Sequence, residues 1–154
     1  MKLKNIRNSK GFTIVELLIV IVIIGILAAL VLNSFRGVQE RARDTKRQTD
    51  VNAQASQLEV YYTDNGGYPQ FTGQIDTDSW IQANFKGADL NAWRAPNIAS
   101  NSEVNSATPT KNQYGYVALQ SDGTTACTTA PCAKYKLYWY SEKDSSVHNK
   151  DSLN

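Results

Sequence analysis

From Phe12 to Leu32 the chain is apolar at almost every position, with Glu16 the only charged residue among twenty-one. At about 1.5 Å rise per residue a helix of that length covers about 30 Å, the thickness of a bilayer's hydrocarbon core. From Asn33 to Tyr62 there is no proline, and Arg, Lys, Gln, Glu and Ala favour a continuing helix. Val51, Ala55, Leu58 and Tyr62 stand at i, i+4, i+7 and i+11, a stripe suited to packing on a globular body. Its charges pair by sign, Arg36 with Glu40, Asp44 with Arg47 and Lys46 with Asp50, as on a solvated helix face. The pattern predicts one helix of about fifty residues, with Gly25 and Gly37 its soft points, and any unwinding centred on Gly25 or on Asn33 to Gly37.

Asn65-Gly66-Gly67, followed by Pro69, closes that helix by supplying positive φ and then blocking its resumption. Beyond it, Trp80, Ile81, Phe85, Leu90 and Trp93 are irregularly spaced, which predicts one short helix near Thr77 to Asn84 among loops. Pro96 to Asn112 is rich in Asn, Ser and Thr and reads as an exposed loop. Tyr114 to Gln120 and Ala133 to Ser141 have strand composition. In the second, Tyr135, Leu137 and Trp139 alternate with Lys134, Lys136, Tyr138 and Tyr140. These two strands pair antiparallel and turn one face to the helical stripe. The fold class is therefore α+β, a long N-terminal helix on a small antiparallel sheet.

Composition alone hides this division, since 154 residues with a mean hydropathy of -0.41 and a net charge of +2 describe an ordinary small soluble domain. The residues C-terminal to the apolar run suffice for one modest domain. The charge is too small to argue a nucleic-acid binder. Position matters more: Lys2, Lys4, Arg7 and Lys10 precede the apolar run without an acid, the arrangement of an export or insertion signal. The run exceeds an ordinary signal-peptide core, and no small-x-small cleavage site comes after it. Arg36, Arg41, Arg43, Lys46 and Arg47 lie beyond it, so the positive-inside count does not set the orientation.

The junction Lys10-Gly11-Phe12-Thr13-Ile14-Val15-Glu16 resembles the class III signal of type IV prepilins and type II secretion pseudopilins. The resemblance implies cleavage by prepilin peptidase between Gly11 and Phe12 and N-methylation of Phe12. It also implies assembly roles for Thr13 and Glu16. Glu16 has a physical reading of its own: a carboxylate in a membrane helix costs about 3 kcal/mol on insertion scales and persists where it finds a partner. The amine freed at Phe12, on the same or a neighbouring subunit, is such a partner. A plainer reading is a glutamate favoured by the helix dipole and snorkelling to the headgroups. The string Tyr61 to Pro69 resembles the element that ends the long helix in that family.

The expected organisation is a leader over 1–11, a transmembrane and filament-core helix over 12–32, its amphipathic continuation over 33–62 and an α+β head over 63–154. Removing the leader deletes four of 16 cations and no acid, leaving 12 against 14. The resemblance implies a single-pass protein in the cytoplasmic membrane, head outside, then an extracellular pilus. Its partners would be copies of itself, the peptidase and N-methyltransferase, an inner-membrane assembly platform and an assembly ATPase. The pilus would serve adhesion, twitching motility or DNA uptake. A secretion pseudopilin and a membrane-anchored ectodomain that never polymerises are the alternatives.

Cys127 and Cys132, five apart in an exported domain, are read as a disulfide worth about 2 kcal/mol. The rival readings fare worse: a zinc site would need two more ligands, while His148, the one histidine, stands in a polar tail, and the four-residue spacing does not suit a redox dithiol of the C-x-x-C kind. Arg41, Arg43, Lys46 and Arg47 form an alternative basic stripe for DNA or anionic lipid, weakened by interleaved acids. Asp76 and Asp78 only faintly match a calcium loop. No metal, cofactor or enzymatic activity is expected; the chain is a substrate for the processing enzymes.

Overall fold

A computed structural model describes residues 11–154, so the leader cations Lys2, Lys4, Arg7 and Lys10 lie outside the described residues. Helix α1 runs over Ile14–Asn65, 52 residues, straight through Gly25 and Gly37. It ends three residues beyond Tyr62, where Gly66 takes a φ of 73° and donates its N–H to the Tyr62 carbonyl at 2.7 Å. That geometry is the left-handed cap which glycine adopts without a Cβ penalty.

The chain divides into two units, one ending at Val38 and the other Gln39–Asn154. In the first, the side chains described along the apolar run are exposed, from Phe12 at 82% to Leu32 at 63%.

In the second, Val51, Ala55 and Leu58 are buried as the stripe predicts, in one core with Tyr68, Ile75, Ile81, Phe85, Trp93, Tyr114, Tyr116, Tyr135 and Leu137. After α1 come a wide turn over Phe71–Ile75, helix α2 over Asp78–Asn84 and a 3-10 turn over Leu90–Trp93. Strands β1 (Glu103–Val104), β2 (Tyr114–Leu119), β3 (Lys134–Ser141) and β4 (Ser146–Asp151) complete the chain in the sheet order β1-β2-β3-β4. β2 and β3 pair antiparallel, with Tyr116 opposite Leu137, as their composition predicts. Phe85 stacks on Trp93 and meets Trp80 edge-on, so the irregularly spaced aromatics form one cluster.

Three expectations change. The sheet is mixed rather than antiparallel, because β1 joins β2 in parallel. The stretch Pro96 to Asn112 is not simply an exposed loop: Ser102 and Glu103 are buried. Its polar side chains serve the backbone, Ser102 Oγ accepting the Ala95 N–H at 2.7 Å and Asn101 donating to the Ile75 carbonyl at 2.9 Å. Composition that reads as solvation is here used for internal bonding. The polar tail around His148 is strand β4, hydrogen-bonded to β3. It is mostly exposed and carries charged side chains, the usual character of a sheet edge, which leaves no apolar alternation to detect.

Gly115 holds the parallel junction together. A Cβ there would drive into the Ser106 carbonyl oxygen and lie 3.0 Å from Tyr138 Cβ. Overpacking against backbone costs about 1–3 kcal/mol or more. Gly115→Ala is expected to lower the unfolding midpoint in urea without changing the slope, and an unchanged midpoint would show that Ser106 moves aside freely.

Candidate functional site

The site begins where the apolar helix begins. Thr13 precedes the first helical residue, and its Oγ1 accepts the Glu16 N–H at 3.2 Å. Glu16 reaches back: its Oε2 accepts the Thr13 N–H at 2.9 Å and the Thr13 hydroxyl at 2.7 Å. This reciprocal pair is a capping box, satisfying two of the donors that a helix start leaves unpaired. Sequence reasoning assigned Thr13 and Glu16 to assembly and missed this local bond, although Thr-x-x-Glu before an apolar run is its signature. Among the described residues Glu16 Oε1 accepts no hydrogen bond, so half of the carboxylate remains for a further donor. Gly11 and Phe12 are exposed beside it, and a Cβ placed on Gly11 meets no atom within 4 Å. The helix beyond them is long and apolar enough to cross a membrane, and none of its apolar window is buried within the protein.

Three of the four cations of the basic stripe are engaged by carboxylates of the same chain, while Arg41 and Lys46 are exposed. Arg43 grips Glu142 with two parallel bonds, Nε to Oε1 at 2.8 Å and a terminal nitrogen to Oε2 at 2.7 Å. Arg47 is buried and donates to Asp44 at 2.7 Å, to Glu142 Oε1 at 2.7 Å and to the Lys111 carbonyl at 2.9 Å. Lys46 pairs with Asp50, which also accepts the Tyr114 hydroxyl at 2.6 Å. Only Arg41 of the four has no carboxylate partner among the described residues. A phosphate-tracking surface needs cations turned to solvent, and three of these are engaged by carboxylates of the same chain. Nor is this helix face wholly solvated, since Arg47 and Asp50 are buried.

The carboxylates reciprocate. Asp44 accepts the backbone N–H groups of Glu142 and Lys143 at 3.0 Å each and the Ser141 hydroxyl at 3.1 Å. Burial works against its ionised form, but these bonds outweigh it and hold Asp44 below the usual carboxylate range. The Arg43 bonds lead in pulling Glu142 down to about 2.

Cys127 and Cys132 are joined as a disulfide, with Cα atoms 5.8 Å apart, on the connection between β2 and β3. His148 stacks on Trp139, and its Nε2 meets both Asp144 at 2.9 Å and Ser146 at 3.3 Å. Because both contacts use one ring nitrogen, the cluster is not wired as a Ser-His-Asp relay. Asp78 is held by Arg94 at 2.7 Å. Among the described residues no three His, Cys, Asp or Glu side chains group as metal ligands.

Sequence reasoning also passed over Glu103 and Gln54. Both are buried, and Gln54 Nε2 donates to the Ala92 carbonyl and to Glu103 Oε1 at 2.7 Å each. Burial, with no cation paired to it among the described residues, pushes the Glu103 carboxyl up to about 8.

The prokaryotic N-terminal methylation motif matches residues 6–32. Over 63 residues, 41% of each chain, the protein is 44% identical to the type II secretion system core protein G of Dickeya chrysanthemi. It is 43% identical over 70 residues to the same-named protein of Aeromonas hydrophila, covering 46% of this chain and 49% of the other. It is 45% identical over 62 residues to the major component of the type IV wide pilus of Thermus thermophilus, covering 40% of this chain and 47% of that one. The chain thus spans less than half the length of these curated relatives. No solved structure matches the chain at a significant level. Its N-terminal segment thus carries the prokaryotic N-terminal methylation motif on an exposed apolar helix and is similar to that of a type IV pilin and of type II secretion core proteins G.

Proposed function

We propose that the chain is a structural subunit, cut between Gly11 and Phe12, methylated on Phe12, held in the cytoplasmic membrane by its N-terminal helix and then polymerised through that helix into a surface filament. The observation that carries this reading is an apolar helix, opened by the methylation motif, none of whose apolar window is buried among the described residues. Its exposed side chains need lipid before assembly and copies of the same helix afterwards, because water leaves about 25 cal/mol per Å² of apolar surface uncompensated. Prepilin peptidase and its methylating activity, an assembly platform and an assembly ATPase are the corresponding partners. Three of the four cations weighed for DNA are occupied by carboxylates, so DNA binding draws no support from them.

The second reading, a pseudopilin forming a short secretion filament, is favoured by the relatives named type II secretion core protein G. Electron microscopy of cells with and without the protein separates the two: long surface pili lost with the protein support the first, while a secretion defect without pili supports the second. A protein that leaves both unchanged would be neither.

Glu16 supplies a sharper test. Glu16→Gln keeps an oxygen for the capping box but removes the charge. If the capping box were its whole role, filament yield from this variant would be normal. If Glu16 meets the amine of a neighbouring subunit, yield falls tenfold or more while the membrane-inserted level stays constant, as read by immunoblots of sheared and membrane fractions.

A further inference from the structure

The polar contacts between α1 and the β3–β4 turn are concentrated at one place. Asp44 takes up the Ser141 hydroxyl and the N–H groups of Glu142 and Lys143, and Arg43 and Arg47 both hold Glu142. Arg47 also bonds the Lys111 carbonyl, which ties in the segment before β2. The helix just before this place has little to hold it. Phe35, Arg36, Val38 and Gln39 are exposed, and a Cβ on Gly37 would meet no atom within 4 Å. Gly37 itself costs helix about 1 kcal/mol relative to alanine. The boundary between the two units falls at Val38, five residues before Arg43.

We infer that the cluster of Arg43, Asp44, Arg47 and Glu142 is a stop to helix unwinding: α1 can lose order between the apolar run and Arg43, but not beyond Asp44 without surrendering the head's grip. The geometry supports this in two ways. Unwinding that moved Asp44 would strand three donors of the β3–β4 turn, and unwinding through Arg47 would leave a buried guanidinium without its carboxylates. Breaking one side of a buried ion pair is far more costly than losing a surface pair, because the remaining charge stays desolvated. The segment from Phe35 to Ala42 has no such penalty. The stop fixes how much of α1 can extend when its apolar part is pulled, and it hands that pull to the sheet at β3 and β4.

This device rests on the filament reading for its use, though not for its existence, so its test needs no filament. Hydrogen exchange of the full processed chain as a detergent-held monomer reports each stretch of α1. In the wild type, amides over 34–42 should exchange at least tenfold faster than those over 48–58. In Glu142→Gln and in Asp44→Asn, amides over 44–48 should join the fast group with at least a tenfold gain in rate, while β2 and β3 stay protected. Should either variant lose β2 and β3 protection, Arg43→Gln replaces it: Arg43 is half-buried, so its removal strands no buried charge, yet it takes from Glu142 the two bonds that tie the first residue of the cluster to the β3–β4 turn, and a gain beginning at 44 is again expected. Uniform protection from 34 to 58 in the wild type, or no gain over 44–48 in folded variants, overturns the proposal. A monomer with the stop that still fails to form filaments would instead count against the filament reading alone.

Discussion

Gly11→Val should leave the whole chain unprocessed in the membrane, with surface filaments reduced at least a hundredfold. The physical argument separates processing from folding. Gly11 lies before the first helical residue, it is exposed, and a Cβ added there has open space around it. Valine at that position therefore strains nothing in the described chain, and the Cys127–Cys132 disulfide and the β2–β3 pairing should form as before. What changes is the approach of a peptidase to the Gly11-Phe12 bond, where a branched side chain crowds the carbonyl under attack. Retention of the leader also denies Glu16 the free amine at Phe12. Intact-mass measurement of the membrane-extracted protein should find Met1 to Gly11 still attached, and microscopy should find bare cells. Cleavage at the same bond and normal filaments from the variant would remove the basis of the proposed function.

The second large effect concerns stability and pH. Glu103 is buried, its Oε2 has no hydrogen-bond partner among the described residues, and its other oxygen meets an uncharged Gln54 donor. Burial raises its ionisation from the ordinary 4.5 to about 8 in the folded chain. Between those two values the folded state holds a proton that the unfolded state has released. Stability must therefore fall as pH rises through that interval, by up to about 1.4 kcal/mol per unit, and level off above it. Glu103→Gln places a neutral amide where the neutral acid sits and has no proton to lose. Its thermal midpoint should be nearly flat from about pH 5 to about 8.5, crossing the falling wild-type curve and exceeding it by several degrees at the alkaline end. Parallel curves for the two proteins would mean that Glu103 is ionised in the fold and compensated by a group it does not touch here.

Much of the molecule was legible from residue order because the responsible forces are local. The apolar run from Phe12 to Leu32, the Val51, Ala55 and Leu58 stripe, the glycine cap and the alternation of Tyr135 and Leu137 each state their environment through spacing along one element. The capping box was equally local and was readable from Thr13 and Glu16 alone. β4 and β1 were not, because their order comes from hydrogen bonds to neighbouring strands and their side chains are polar. Two of the four cations, Arg43 and Arg47, were misjudged for a related reason. Their i, i+3 and i+4 acids were visible, but Glu142 lies 95 residues from Arg47 and 99 from Arg43.

By itself, then, the sequence determined the start of the chain: where the methylation motif stands, where the apolar helix begins and ends, and which carboxylate sits inside it. These come from covalent order and from hydrophobicity summed along a single helix, neither of which needs a partner in space. Only the tertiary structure decided which charges remain available. It buried Arg47 against Glu142, left Glu103 Oε2 without a hydrogen-bond partner among the described residues and tied the β3–β4 turn to Asp44. Electrostatic fate depends on distance and on the exclusion of water, and both are set when remote segments pack rather than when residues succeed one another along the chain.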